Sequence, residues 1–294
     1  MLFDWVVSQY MDAKSKRLRP NTLEGYESAI RCHLEPAWAG RELEGITHEE
    51  LQTWVDSFEL AGAAEKAYKT FRQIVRWAIA RLGLRIWDMT QGIELPRRET
   101  YEPRPLDAKQ TAELQRGMWG ASPEMEAYVL LSSSLGLRPG ETANIDLSKD
   151  VNFKTGEIRV CGSLQVVGGK TIYLPPKTPR SKRTLYLPRY ALKRLKQLKV
   201  HLSGKLGELV RPDTLRRRIR AWCKRHELPY LHARELRHTW ASNAIEAGVP
   251  IETVAMMLGH TDIGTAYAHY IRPRKAVCKE AQERVARLIL SAAG

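Results

Sequence analysis

The segment ELPRRETYEPRPLDAKQ at 94–110 does most to limit the folds open to this chain. Pro96, Pro103 and Pro105 fall within it among charged side chains. Proline has no N–H to give a helix interior or a central strand, so no regular element is expected to run through 93–105. We read that stretch as an extended linker dividing the 294 residues into one domain over 1–92 and a second over 106–294. Both lengths suit independently folded domains.

The two halves differ in periodicity. In the first, Leu2, Trp5, Val6 and Tyr10 form an apolar stripe at helical spacing. Asn21 or Thr22 can cap a second helix carrying Leu23, Tyr26, Ile30 and Leu34. Thr47 and Glu50 have the spacing of a capping box ahead of Leu51, Trp54, Val55 and Phe58. A fourth helix spans about 65–82, with Ala67, Phe71, Ile74, Ala78 and Leu82 inward. Its opposite face carries Lys66, Lys69, Gln73 and Arg76, a candidate DNA-binding stripe whose bland alternative is a solvated surface. In the second half a new helix begins at Asp107, and 107–135 and 188–257 have helical patterns. Between them GEIRVCGS, KTIYLPP and KRTLYLP alternate apolar and polar residues, which suggests a small antiparallel sheet. Val277, Ala281, Val285 and Leu288 mark one face of a last helix, which needs its own domain or a neighbouring protomer to cover it. The fold class is therefore mainly α with a small antiparallel β-sheet (α+β).

Charge narrows the partner. Forty-seven Lys and Arg against 33 Asp and Glu leave +14, which favours a polyanion such as nucleic acid. Cys32, Cys161, Cys223 and Cys278 are scattered without a CxxC pair, against a zinc knuckle or disulfide framework and in keeping with a reducing compartment. The opening MLFDWVVSQYMDAK lacks the basic start of a signal peptide, and no run nears the roughly 18 apolar residues of a membrane span. A cytoplasmic protein is expected. Neither a phosphate-cradling P-loop nor an acidic metal cluster is visible, so no cofactor and no metal site are assigned.

Four segments carry the chemistry. They are SLGLRPGE (134–141), PPKTPRSKRTLYLP (175–188), ELRHTWASN (235–243) and LGHTDIGTAYAHYIRP (258–273). Two well-separated arginines, Arg138 and Arg237, can each grip a phosphate oxygen with paired N–H donors. Glu141, three residues past Arg138, can orient it through a bidentate pair. A tyrosine can attack phosphorus and hold the strand covalently. Gly259 is a helix stop that places His260 just beyond a helix end.

In this order the four segments resemble the active-site boxes of the tyrosine recombinase (phage integrase) family. RPNTLEGYESAIRCHLEP (19–36) is similar to the first helical junction of that family's SAM-like core-binding domain. The resemblance implies a DNA-binding domain over 1–92, a linker over 93–105, and a catalytic domain over 106–294 ending in an interaction helix. It implies that Arg138, Arg237 and His260 hold the scissile phosphate, and that Lys177 protonates the 5′-oxygen leaving group. The second box usually reads His-x-x-Arg, but Arg234 stands where the histidine would be. A permanently charged arginine can donate hydrogen bonds to phosphate but cannot accept a proton. Tyr270, ten residues past His260, is assigned as the nucleophile; Tyr267, seven past it, is the alternative. Lys182 and Arg183 are nearby cations assigned to the DNA backbone.

The activity implied is site-specific cleavage and rejoining of double-stranded DNA through a 3′-phosphotyrosyl intermediate, without metal or ATP. By resemblance the enzyme acts as a homo-tetramer on two sites, with an accessory directionality protein as a further partner, on a phage or other mobile element. Many integrases carry a further N-terminal arm-binding module; because this sequence opens directly in the first helical domain, that module is not expected here, whether naturally or by truncation. Rival readings are an inactive DNA-binding relative, a type IB topoisomerase-like enzyme and, more distantly, a metal-dependent nuclease.

Overall fold

The computed structural model describes residues 1–98, 104–176, 181–259, 264 and 275–292. One compact unit takes up Met1–Glu102 and Val167–Gly169, and another takes up Pro103–Val166 and Lys170–Gly294.

The first unit is helical. Helix α1 (Phe3–Ser15) buries Phe3, Val6, Val7 and Tyr10, while Leu2 and Trp5 stay about half exposed. The apolar stripe thus sits slightly round the helix from the one expected, because Phe3 and Val7 complete the spacing of Val6 and Tyr10 better than Leu2 and Trp5 do. Helix α2 (Pro20–Ala29) starts at Pro20 itself, with Arg19 as N-cap in place of Asn21 or Thr22. Proline suits that first position because its missing N–H has no partner there. α2 runs through a π-turn (Ile30–Leu34) into the short α3 (Glu35–Trp38).

Helix α4 (His48–Asp56) has the expected capping box: the Glu50 N–H donates to Thr47 Oγ1 at 3.2 Å, and the Thr47 N–H donates to Glu50 Oε2 at 2.9 Å. Helix α5 (Ala61–Leu82) supplies the centre of the core. The Phe71 ring stacks on Phe3 at 5.9 Å between centroids and meets Trp38 at 5.7 Å and Trp54 at 6.1 Å.

The second unit is organised round one buried helix. Helix α6 (Ala108–Gly117) is capped by Asp107, whose carboxylate accepts from the Gln110 N–H at 2.8 Å. Helix α7 (Pro123–Leu135) buries residues on every side, from Met125 to Leu135. A helix apolar all round has no solvent face to keep, so it fills the centre. Helices packed on it include α6, α8 (Pro139–Asn144), α9 (Arg189–Leu198), α11 (Pro212–Arg225) and α12 (Ala233–Glu246). Its one buried acid, Glu126, is paired with Arg194 of α9, Nη2 lying 2.8 Å from Oε2. The short α10 (Leu206–Leu209) contacts α7 and α8, and α13 (Ile251–Leu258) packs Val254 and Leu258 against Ala241 of α12.

The β structure comprises two ribbons among the described residues. Strand β1 (Glu157–Val160) pairs antiparallel with β4 (Arg183–Tyr186), Ile158 opposite Leu185. Strand β2 (Ser163–Val167) pairs with β3 (Lys170–Leu174). The sequence pattern predicts one sheet of three strands; the structure adds β2, because the chain turns at Cys161 and Gly162 and continues as a further strand.

The final helix, α14 (Lys275–Ala292), leaves Val285, Leu288, Ile289 and Leu290 exposed. No helix of the described residues is long and apolar enough to cross a membrane.

Phe71→Ala should destabilise the first unit by about 3–5 kcal/mol, the usual loss for a fully buried aromatic. Urea denaturation followed by tryptophan fluorescence reads this directly, since Trp38 and Trp54 touch the deleted ring.

Candidate active site

The site forms where α7 gives way to α8. Helix α7 ends at Gly136 in the left-handed conformation (φ 64°). A Cβ there would lie 2.7 Å from the Trp240 ring and 2.8 Å from Leu258 Cδ2, so only glycine lets the chain pass this closely over α12 and α13. The turn buries Leu137 and delivers Arg138 as the N-cap of α8.

Three arginines then converge on the carboxyl end of α13. The last carbonyls of a helix have no N–H to accept from within it and carry the negative end of its dipole. Arg138 donates from Nη1 to the Leu258 carbonyl at 3.4 Å and from Nη2 to that of Gly259 at 3.2 Å. Arg237, on α12 and only 6% exposed, donates from Nη2 to the same Leu258 carbonyl at 2.8 Å and from Nη1 to Gly136 at 3.0 Å. Arg183 donates from Nε to Met257 at 2.7 Å.

Glu141 ties two of them together. Its Oε1 accepts from Arg138 Nη1 at 2.8 Å and Arg183 Nη1 at 3.2 Å; its Oε2 accepts from the Arg138 N–H and from Arg183 Nη2, both at 2.9 Å. The bidentate side-chain pair therefore joins Glu141 to Arg183, and Arg138 is held by one guanidinium and one backbone contact instead. Burial pushes the Glu141 carboxyl up, but hydrogen bonds and charge from Arg183, then Arg138, outweigh it and bring its pKa to about 2. Three guanidiniums against one carboxylate leave this cluster two positive charges in excess. The Arg138 side chain remains 41% exposed, so that charge reaches solvent.

Of the sequence-assigned residues, the described structure brings Arg138, Arg237 and Arg183 together. Arg183 is not on the surface: its side chain is 7% exposed and committed to Glu141 and Met257. The alternation of β4 carried that signal, since Arg183 shares a strand face with the buried Leu185 and Leu187. Lys182 is exposed on the opposite side. Arg234 is exposed in the first turn of α12. His232 caps that helix, its Nδ1 accepting from the Arg234 N–H at 3.5 Å. Burial, then the charges of Arg216 and Arg234, lower the pKa of this imidazole and favour its neutral, accepting form.

Lys177, His260 and Tyr270, with the alternative Tyr267, lie outside the described residues. On α5, Lys66, Lys69, Gln73 and Arg76 are all exposed. Lys69 pairs with Glu65, Arg76 lies 3.2 Å from Asp88, and Gln73 accepts from Tyr26 at 2.6 Å and Tyr10 at 3.2 Å.

The folded-state pKa of Glu141 lies below the ordinary 4.5. Its ionisation therefore contributes stability in full above that value, and the contribution is lost as pH falls toward 2. Glu141→Gln should remove on the order of 3 kcal/mol of this acid-sensitive stability. Urea midpoints of the two proteins, measured between neutral pH and pH 2.5, should converge as the pH falls.

The family model for the phage integrase family matches residues 106–276, and the model for the phage integrase N-terminal SAM-like domain matches residues 2–58. Tyrosine recombinase XerC of Pseudomonas savastanoi pv. phaseolicola is 28% identical over 287 residues, covering 90% of this chain and 92% of its own. The XerC of Actinobacillus succinogenes is 26% identical over 266 residues, covering 86% and 88%. In fold, the chain is similar to the Tn1549 transposon integrase in complex with transposon right end DNA, with a TM-score of 0.75, 17% identity and coverage of 96% and 99%. It is likewise similar to the lambda integrase of a tetramer bound to a Holliday junction, with a TM-score of 0.70, 18% identity and coverage of 93% and 79%. With its larger domain matched across residues 106–276 and two arginine boxes folded onto one helix end, this chain belongs to the phage integrase family, the tyrosine recombinases.

Proposed function

We propose that the protein is a site-specific DNA recombinase that cuts and rejoins duplex DNA through a 3′-phosphotyrosyl intermediate. We assign it to the integration or excision of a phage or other mobile element. The observation that carries the reading is the shared anchor of Arg138 and Arg237: both guanidiniums donate to the Leu258 carbonyl, directly ahead of the segment beginning at His260. One rigid helix end thus sets two cations from sequence-distant boxes side by side. The likeness to integrases solved on DNA supports the same reading.

In the proposed reaction the Tyr270 hydroxyl attacks the scissile phosphorus. A bond forms from Tyr270 Oη to phosphorus, the bond from phosphorus to O5′ breaks, and the phenolic proton is released. An unperturbed tyrosine hydroxyl has a pKa of about 10, so a cationic surrounding that favours its anionic form speeds the attack. Arg138 and Arg237, with His260 and Arg234, stabilise charge on the five-coordinate phosphorus. Lys177 donates a proton to the departing 5′-oxygen. The free 5′-hydroxyl, or one from a second duplex, then reverses the step, so the phosphodiester energy is kept in the tyrosyl link and no ATP is consumed. The cationic side chains supply the charge stabilisation without calling on a metal. Lys66, Lys69, Gln73 and Arg76, with Lys182, contact the DNA backbone. The active assembly is a homo-tetramer on two DNA sites, with a directionality protein selecting integration or excision.

An inactive DNA-binding relative is the second reading, and Arg234 in place of the usual histidine favours it.

Incubating the protein with pooled nicked duplexes from the DNA flanking its gene should give an SDS-resistant adduct, with peptide mass spectrometry placing the DNA on Tyr270. Tyr270→Phe should abolish the adduct and Tyr267→Phe should retain it; the reverse pattern moves the nucleophile to Tyr267. Intact DNA binding with no adduct would support the inactive reading. Arg138→Ala should slow adduct formation by roughly 100- to 1000-fold, the usual cost of one transition-state donor, with fluorescence anisotropy showing a much smaller loss of DNA affinity.

A further inference from the structure

We propose that Arg183 is a positioning residue of this active site, sharing the Glu141 carboxylate so that Arg138 keeps its positive charge available to a phosphate. The inference rests on the reading above in taking a phosphate as the partner of Arg138.

The carboxylate of Glu141 is saturated. Each oxygen accepts two hydrogen bonds, one from Arg138 and one from Arg183. A carboxylate offers about four acceptor sites, so nothing is left over. Were Arg183 absent, the buried acid would keep its charge with Arg138 as the cation opposite it. Two consequences follow. The Arg138–Glu141 pair would be neutral as a whole, and its pull on a phosphate would fall. The carboxylate would also be able to turn both oxygens onto the Arg138 guanidinium, drawing it off the Leu258 and Gly259 carbonyls that hold it in place. With Arg183 present, the three groups carry one net positive charge, and only Arg138 among them is substantially exposed, at 41% against 7% and 8%.

The fit is specific to arginine. Nη1 and Nη2 straddle Glu141 while Nε donates to Met257, a three-point fork that the single ammonium of lysine cannot reproduce. The guanidinium also lies close against Gly259, where a Cβ would meet Nη1 at 3.1 Å and Cζ at 3.4 Å. Arg183 is thus wedged between the acid that steers Arg138 and the chain leading into His260. It opens β4, six residues beyond Lys177 in sequence. Its burial leaves no room for the backbone contact with DNA that its sequence context suggests.

Charge sharing differs from mere packing in a testable way: once Glu141 is neutral, Arg183 should be dispensable. The full chain is compared with Arg138→Ala, Arg183→Gln, Arg183→Lys, Glu141→Gln and the double variant Arg183→Gln/Glu141→Gln. Inorganic phosphate is the first probe, read as the rise in melting temperature that disappears in Arg138→Ala, since a ligand that binds only the folded state stabilises it. Arg183→Gln should weaken this Arg138-dependent binding roughly tenfold, the scale of one charge-assisted hydrogen bond. Arg183→Lys, which keeps the charge but loses the fork to Glu141 and Met257, should fall between wild type and Arg183→Gln. The double variant should match Glu141→Gln alone and recover most of the loss, a comparison that holds even if Arg183→Gln by itself does not fold. A double variant as weak as Arg183→Gln, or clearly weaker than Glu141→Gln, would reduce Arg183 to a packing role and overturn the proposal. The second probe is adduct formation on the pooled nicked duplexes, which should rank the variants in the same order with DNA affinity nearly constant. The phosphate ranking without any adduct from wild type would sink the recombinase reading and leave the positioning role standing.

Discussion

The carboxyl end of α13 is the point on which the candidate site depends. A helix leaves its last carbonyls without intrahelical donors, and here those of Met257, Leu258 and Gly259 are met by guanidiniums from three parts of the chain, Arg138 and Arg237 sharing Leu258. The arrangement satisfies orphan acceptors inside the domain and spaces three like charges that would otherwise repel. Such a concentration of cations near a core is costly unless each is hydrogen-bonded and partly neutralised. The carbonyl dipoles supply the first condition and Glu141 the second. What remains is an excess of positive charge directed to solvent through Arg138, the most exposed member of the Arg138–Glu141–Arg183 triad.

Packing decides where that charge appears. Helix α7 is buried on every side and holds α8 and α12 against itself. Gly136 then brings the chain within contact distance of Trp240 and Leu258, so Arg138 and Arg237 reach the same helix end. The glycine carbonyl is itself an acceptor for Arg237, which makes the turn part of the site as well as its approach. Rigidity matters here because the transition-state stabilisation proposed for these donors requires them to be in position before the charge develops.

Much of this was legible beforehand. Thr47 with Glu50 marked a helix start by local chemistry, and the capping box formed. A further helix expected from Asp107 is present, with Asp107 as its N-cap. The spacing of Glu141 from Arg138 signalled contact between them, and the contact is present, though the bidentate partner of Glu141 is Arg183. Arg183 was misplaced because a run of basic residues looks like a solvated patch, while the period-two alternation with Leu185 and Leu187 pointed inward. The stripe of α1 lies slightly round from the expected one: Leu2 and Trp5 are as hydrophobic as Phe3 and Val7, and the spacing of Phe3 and Val7 with Val6 and Tyr10 decides between them.

By itself, then, the sequence determined the helical character of the first domain, the strand-rich insert and the order of the basic boxes. These follow from periodicity and capping, which act over a few residues. Tertiary structure alone decided that Arg138, Arg183 and Arg237 share one helix end, that Glu141 divides itself between two of them, and that Arg183 lies inside. Among those contacts, Glu141–Arg183 spans 42 positions, Arg138–Leu258 spans 120 and Arg237–Gly136 spans 101. No local rule specifies them, because which carbonyls a helix leaves open can be read from its end, but which distant side chain arrives to meet them is set by how the elements pack.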